Sequence, residues 1–404
     1  MLIPTLVRRE VLGAEESQLL QGNAALPEAI PESFLGTARC VYLDPPFMTG
    51  KVFPRSRPYG TRGWKTGSPA LKLKSYDDRF PSSEDYLTFL RGLLENSRRV
   101  LREDGVLLLH LDWRSSARGR LLCDELFGEK NFLNEIIWSY ESGGTATTHY
   151  ARKHDTILMY AVGEDYRFDI TRIPIGTRQM KDNHMKRSVD ENGRAYRAIR
   201  SGGKEYRYYE DEPVYPGDVW TDISILQQRD PERMGFRTKK PMRLLERLRK
   251  PLVQPGDLVA DLCCGSGTTL AAAQSLGCRF LGMDISAEAL AVSASRLESG
   301  YVLDFSPAED PARPEGAPEA GGFALRGYSS DFPFPASNDP VAAVEQWRIG
   351  RIRNDIFYAT ESAARSFLQP ELMCWLPLPD GEGDLGISIT DAAGQRRVFR
   401  WEEA

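Results

Sequence analysis

Asp261-Leu262-Cys263-Cys264-Gly265-Ser266-Gly267-Thr268-Thr269 follows the apolar run Leu258-Val259-Ala260 and opens a second segment that ends near Leu276. The first run is short and unbroken, as in a strand covered on both faces. The second is long enough for a helix. Gly265 and Gly267 permit a tight turn and close backbone approach between the two. Phe280-Leu281-Gly282-Met283-Asp284 makes the next strand, and Asp284 lies 17 residues beyond Gly267. A strand, a glycine turn, a helix and a strand ending in an acid form a nucleotide-binding arrangement, in which the acid accepts ribose hydroxyls. The glycine turn alone is as often merely structural. Its place between strand and helix, with Asp284 at the next strand end, carries the reading.

The turn has no Lys followed by Ser or Thr, so it is not the loop that cradles a nucleoside triphosphate. That favours S-adenosyl-L-methionine. Asp261, Cys263, Gly265, Gly267, Thr268, Thr269 and Asp284 are the candidate cofactor residues.

A second stretch lies over two hundred residues earlier. Ala38-Arg39-Cys40-Val41-Tyr42-Leu43 is a buried-strand pattern, and Asp44-Pro45-Pro46-Phe47 ends it, since two prolines cannot continue a central strand. Asp44 is an acceptor, the Pro45 carbonyl is a second acceptor on a stiffened backbone, and Phe47 offers a flat face. An exocyclic base amino group needs two acceptors and an aromatic floor. Its lone pair is delocalised into the ring, so fixed acceptors and positioning must make it reactive. Taken alone, Asp-Pro-Pro is more simply a strand-ending turn. Beside the glycine turn, Asp44, Pro45, Pro46 and Phe47 become the candidate catalytic set.

Between and around these stretches, apolar strands alternate with helices. Ser82 or Ser83 starts a helix reaching Asp104-Gly105, 105–111 is a strand, 115–127 a helix, and 135–140 and 155–161 are strands. Pro241 begins a helix at 242–253, and Ser286 caps one at 287–298. This is an α/β layered pattern. Glu15 to Leu20 suggests a short helix.

Three regions depart from it. Residues 48–76 look like a Gly-, Pro- and Ser-rich loop; Lys51, Arg55, Arg57, Arg62, Lys65, Lys72 and Lys74 occur there with Tyr59 and Trp64 and no acid. Residues 163–235 interrupt the rhythm, with ten basic residues from Arg172 to Arg207 against four acids, mixed with Tyr196, Tyr206, Tyr208 and Tyr209. Both fit phosphate contacts; a solvated loop and a decorated surface insertion are the plain alternatives. Residues 304–322 are Pro-, Ala-, Gly- and acid-rich like a linker, and 340–404 suggest a small α+β unit of unreadable role.

The net charge of −5 argues against nucleic acid only until it is divided. Residues 301–404 hold 17 acids, nine Arg and no Lys, a balance of −8, which leaves +3 on residues 1–300. A basic body suits DNA. Six cysteines without a CxxC pair and four histidines make no metal pattern. No apolar run spans a membrane and no secretory leader opens the chain, so a soluble, cytoplasmic protein with reduced cysteines is expected.

With these motifs in hand, the chain resembles the DNA amino-methyltransferases of the β arrangement, in which the target-base motif precedes the cofactor motif. Asp44-Pro45-Pro46-Phe47-Met48-Thr49-Gly50 resembles that family's Asp-Pro-Pro-(Tyr/Phe)-Asn-Thr-Gly. Phe127-Gly128 through Trp138, and Lys153-His154-Asp155-Thr156-Ile157-Leu158, are similar to recurrent family segments. Gly235 to Pro241 looks like a Thr-Gln-Lys-Pro segment that lines the cofactor pocket, which adds Thr238, Lys240 and Pro241 to the cofactor set. Three departures stand out: Cys263 in place of Phe, Met48 in place of Asn, and Lys239 in place of Gln.

The resemblance covers roughly 38–300 and implies a Rossmann-like methyltransferase fold of class α/β, with helices on both faces of the sheet. With the composition of the two ends, the expected division is an N-terminal segment (1–37), a target-base half (38–162), an inserted target-recognition region (163–235), a cofactor half (236–300), a linker (301–339) and a C-terminal unit (340–404). The resemblance implies methyl transfer from S-adenosyl-L-methionine to adenine N6 of a base flipped from double-stranded DNA. Cytosine N4, whose enzymes mostly begin the motif with Ser, and a non-catalytic DNA-binding subunit remain the alternatives. Lys51, Arg55, Arg57, Arg62, Lys65, Arg178, Lys186, Arg187, Arg197 and Arg200 are the candidate DNA contacts. A homodimer and a cognate restriction endonuclease are further expectations of the resemblance.

Overall fold

The computed structural model describes the chain except residues 14–15, 142–145, 179–185, 227–239, 298–299, 310, 367 and 404; the side chains of 54–56 and 74–76 are also outside the description. Among the described residues, one mixed sheet of fifteen strands organises the molecule. Its centre is Ala38–Leu43, all six residues buried. This strand runs parallel to Leu258–Asp261 on one side and to Leu101–Leu111 on the other. Flanked on both edges and covered on both faces, it carries mostly apolar side chains, and its Arg39 is buried in a pair with Asp104. Arg279–Asp284 lies parallel on the far side of Leu258–Asp261. His154–Ala161 and Phe132–Ser139 continue the sheet antiparallel beyond Leu101–Leu111.

Helices Ser83–Val100, Ser116–Phe127, Met242–Arg249, Thr268–Gln274 and Ala287–Arg296 accompany these strands. The caps fall where the sequence places them. Ser82 accepts from the Asp85 N–H at 3.1 Å, and Ser286 from Ala289 at 3.2 Å. Two hydrophobic clusters lie on the two faces of the sheet. One is centred on Cys40, Tyr42, Leu108 and Val259, the other on Val41, Leu43, Leu107 and Ala260, so alternate residues of one strand feed opposite layers.

Several expectations are corrected. The short helix at 15–20 is instead a strand, Gln18–Gln21, paired in parallel with Arg279–Asp284. Burial of Leu19 and Leu20 beside that strand outweighs local helix preference. Residues 48–76 are not a plain loop. Val52–Pro58 and Ala70–Asp77 form an antiparallel hairpin, and Gly60–Thr66 is a helix between them. Tyr59 and Leu71 pack into the same cluster as Trp347 and Phe323. The stretch 301–339, expected as a linker, holds the strands Tyr301–Asp304, Ala312–Glu319 and Gly322–Ser330. Residues 340–404 contain strands and, among the described residues, no helix, so the unit is β rather than α+β.

The described part of 163–235 contains the exposed antiparallel meander Arg187–Val189, Ala195–Ser201 and Lys204–Tyr209. Its residues are half-buried or exposed, in keeping with a module that has little core. Val219–Trp220 instead joins the edge of the main sheet, pairing with Ile137 and Trp138.

Candidate active site

The ends of Ala38–Leu43, Leu258–Asp261 and Arg279–Asp284 are neighbours because their strands are adjacent and parallel. Asp44 and the glycine turn therefore open onto one cleft, as ligands do at the carboxyl ends of such sheets. The cleft is a cavity of about 570 Å³ lined by Asp44, Pro45, Pro46, Phe47, Lys240, Asp261, Cys263, Gly265, Thr268, Thr269 and Asp284. Gly267 and Pro241 shape the cavity without lining it. Gly267 has φ +71°, and a Cβ there would meet the Ser293 Oγ at 2.7 Å. Pro241 caps the Met242–Arg249 helix. Thr238 lies outside the described residues.

At the cofactor end, Asp284 holds the turn. Its Oδ2 accepts from the Gly265 N–H at 2.9 Å and its Oδ1 from the Ser286 N–H at 2.8 Å. Each oxygen keeps a further lone pair for a ligand hydroxyl. Burial raises the Asp284 carboxyl above the usual range, opposed by these two backbone donors. Ile285 lines the same cavity and is 71% exposed, an apolar surface beside the acid. Asp261 is buried, and burial pushes its carboxyl up to about 7, against the bond from Thr269 and the backbone bond from Cys263. Cys263 and Cys264 are pushed up by burial too, so they are thiols rather than nucleophilic thiolates. A carboxylate clamped to a glycine turn, an exposed apolar residue after it and a second buried carboxyl fit an adenosine joined to an amino acid.

At the other end of the cavity stands Lys240, which was expected in the cofactor set and here meets Asp44. Its Nζ lies 2.6 Å from both Oδ1 and Oδ2 of Asp44 and 5.1 Å from the centre of the Phe47 ring. Phe47 also stacks on His110, with centroids 6.2 Å apart and planes at 24°. His110 is buried within a chain of polar groups from four strands or their ends. Tyr42 Oη is 2.8 Å from its Nδ1, Asp155 Oδ2 is 3.1 Å from its Nε2, and Tyr140 donates to Asp155 Oδ1 at 3.0 Å. Burial works to raise the Asp155 carboxyl, but His110, Lys240 and Tyr140 hold it below its usual value.

The loop after Phe47 hangs on Asp78, which is 1% exposed. Asp78 accepts from the Met48 N–H at 3.0 Å and the Thr49 N–H at 2.8 Å. Met48 itself has φ +57°. The sequence reading missed Asp78 and His110. Each is one polar residue in an unremarkable stretch, and only an apolar strand interrupted by His110 hinted at either.

The expected DNA contacts fare unevenly. Arg57 is 3% exposed and paired with Glu345, which anchors the hairpin to the C-terminal unit instead of to a ligand. Lys65 bonds Glu371 at 2.6 Å. In the 163–235 region Arg187 bonds Glu210 at 3.0 Å, Arg197 faces the same carboxylate at 3.8 Å, Arg178 faces Glu212 at 3.4 Å and Arg200 meets Glu205 at 3.5 Å. Lys51, Arg62 and Lys186 are exposed. The side chain of Arg55 is outside the description.

Residues 38–295 match the family described as DNA methylase, of the N6/N4 class. The DNA adenine methyltransferase YhdJ of Escherichia coli K12 is 27% identical over 289 residues, covering 71% of this chain and 84% of that protein. The type II methyltransferase M.EcaI of Enterobacter cloacae is 24% identical over 294 residues, 61% of this chain and 62% of that protein, so the match spans less than two thirds of M.EcaI. Among solved structures, the cytosine-N4-specific PvuII DNA methyltransferase aligns with 71% of this chain and 89% of its own at 15% identity and a TM-score of 0.45.

Proposed function

Because the chain belongs to the N6/N4 DNA methylase family, whose methyl donor is S-adenosyl-L-methionine, we propose that it methylates the N6 amino group of adenine in double-stranded DNA. The observation that carries this is Asp44: a carboxylate on the strand next to the glycine turn, facing the same cavity. The adenine assignment rests on the acid at that position, where the cytosine-N4 enzymes it resembles mostly have Ser. YhdJ, named an adenine methyltransferase, supports it. The names of M.EcaI and of the type III Mod subunit of EcoP15I support a restriction-modification setting with a partner endonuclease.

The cofactor, when bound, supplies an electrophilic methyl group. Asp284 would hold its ribose hydroxyls, and the Gly265 turn and Asp261 its remaining polar groups. Asp44 accepts an N–H of the flipped base and the Pro45 carbonyl accepts the other. That fixes the lone pair along one direction. Phe47, braced by His110, gives the base a stacking face. Lys240 meets each carboxylate oxygen of Asp44 once, so the amino group takes a lone pair that remains on one of them. Methylation leaves the nitrogen one proton over, and Asp44 is the base positioned to accept it.

The test is incubation with labelled S-adenosyl-L-methionine and unmethylated genomic DNA, followed by mass spectrometry of the nucleosides. N6-methyladenine is expected. N4-methylcytosine would overturn the base assignment alone. No transfer despite measurable cofactor binding would overturn the enzyme reading.

A further inference from the structure

The arginines that sequence picks out as DNA contacts are mostly engaged with acids. A different surface has the chemistry they lack. Leu101–Leu111 runs parallel to Ala38–Leu43, with Leu109 opposite Leu43, so both strands end on one edge of the sheet. His154–Ala161 is antiparallel to Leu101–Leu111, with Thr156 opposite Leu111, so it begins at that same edge. The residues just after Leu111 and just before His154 therefore stand on the rim that holds Asp44.

Trp113 is on that rim and 41% exposed. Two guanidinium groups lie over its ring, Arg114 at 4.6 Å and Arg152 at 3.6 Å from the centroid. Asp112, 6% exposed, fixes the first: it accepts from the Arg114 backbone N–H at 2.8 Å and pairs with its side chain. Arg152 is exposed and makes no ion pair among the described residues. Tyr150, two residues before it, is 97% exposed. Folding has left a large indole exposed on the sheet edge that also carries Asp44, and has set cations against it.

We propose that this rim is the DNA-docking surface, with Arg152 on a backbone phosphate, Trp113 stacking on the bases beside the one drawn into the Asp44 cavity, and Arg114, held by Asp112, bracing the indole. The assignment rests on the DNA-methylase reading. Phosphate attraction requires cations not already neutralised by protein carboxylates, and Arg152 meets that condition where Arg187, Arg197 and Arg200 do not. Every base has a π-face, so an exposed indole holds unstacked DNA without regard to sequence. Removing a base from its stack leaves neighbours that need such a surface. A second copy of this chain is the competing occupant, because Trp and Arg are also enriched at protein interfaces.

The test uses the full chain, a fluorescein-labelled duplex and anisotropy across a salt series, with cofactor binding as the control for folding. Arg152→Gln should weaken binding and lower the magnitude of the log–log salt slope by about one. Trp113→Ala should weaken it roughly 5- to 100-fold, and Trp113→Phe should restore most of the loss. Wild-type affinity and slope in Trp113→Ala and Arg152→Gln, with wild-type protein methylating DNA normally, would overturn the surface and leave the enzyme reading intact. A Trp113→Ala protein that loses self-association in sedimentation, with DNA affinity unchanged, would overturn it in favour of the second copy. A wild-type protein that methylates no DNA would instead remove the premise.

Discussion

Lys240 Nζ sits 2.6 Å from each carboxylate oxygen of Asp44, so the group meant to receive a base already holds a cation. The two residues should therefore fail together in the base step and leave the cofactor step alone. Asp44→Ala should lower turnover about 100- to 1000-fold, the usual effect of losing one preorganised polar group. Cofactor affinity, read by calorimetry, should change little. Near wild-type turnover would remove Asp44 from the mechanism.

Lys240→Met separates two roles for the lysine. Its contacts are with Asp44 and Phe47, so turnover should fall while the cofactor Kd stays close to wild type. A Kd weakened by about tenfold, some 1.4 kcal/mol, would return Lys240 to the cofactor side.

Asp261 gives a pH dependence. Burial raises its carboxyl to about 7 from the usual 3.8. Between those values the unfolded chain has released the proton and the folded chain has kept it. Stability should thus fall as pH rises from about 4 to 7, and level off above. A cationic ligand beside Asp261 favours the ionised form. Cofactor binding near pH 6 should therefore release protons, seen as a binding enthalpy that varies with buffer, and Asp261→Asn should abolish the variation.

Arg57 and Glu345 form a buried pair. Removing one partner strands the other, a loss of about 3–5 kcal/mol, whereas replacing both by apolar residues of similar size is often neutral. Arg57→Met should lower the denaturant midpoint markedly, and Arg57→Met with Glu345→Leu should recover most of it. Below its transition, the single variant should bind DNA with an unchanged salt slope. A reduced slope would make Arg57 a phosphate contact after all.

Met48 adopts φ +57°, a conformation that Asn tolerates better than Met. Met48→Asn should stabilise the protein by about 1 kcal/mol, measured as a higher denaturant midpoint. An unchanged or lower midpoint would show that the Met48 side chain makes up for its backbone.

The central sheet and the two ends of the site were legible because local chemistry and tertiary role coincide there. Asp44 closes a six-residue apolar strand with two prolines, and Asp284 closes another after a glycine turn. Pairing that depends on remote chain was not legible. Gln18–Gln21 is too short to announce itself and exists because Arg279–Asp284 offers an edge. The basic hairpin at 52–77 looked solvated because Glu345, Glu371 and Trp347, its partners, lie some three hundred residues on. Charge counting found the arginines of 163–235 but not the carboxylates that meet them. Trp113 was one aromatic among many until strand direction put it on the rim of the cleft.

Tyr301–Asp304 lies between Gln18–Gln21 and Arg9–Leu12, and Arg9–Leu12 in turn pairs with Ile356–Ala364. Glu10, fully buried, receives Arg348 at 2.7 Å and Arg396 at 2.6 Å. The late strands are thus woven into the scaffold, not appended to it. A chimaera that exchanges residues 301–404 with those of a relative would have to import matching edges for Arg9–Leu12 and a matching charge for Glu10, so this portion cannot be shuffled as a cassette.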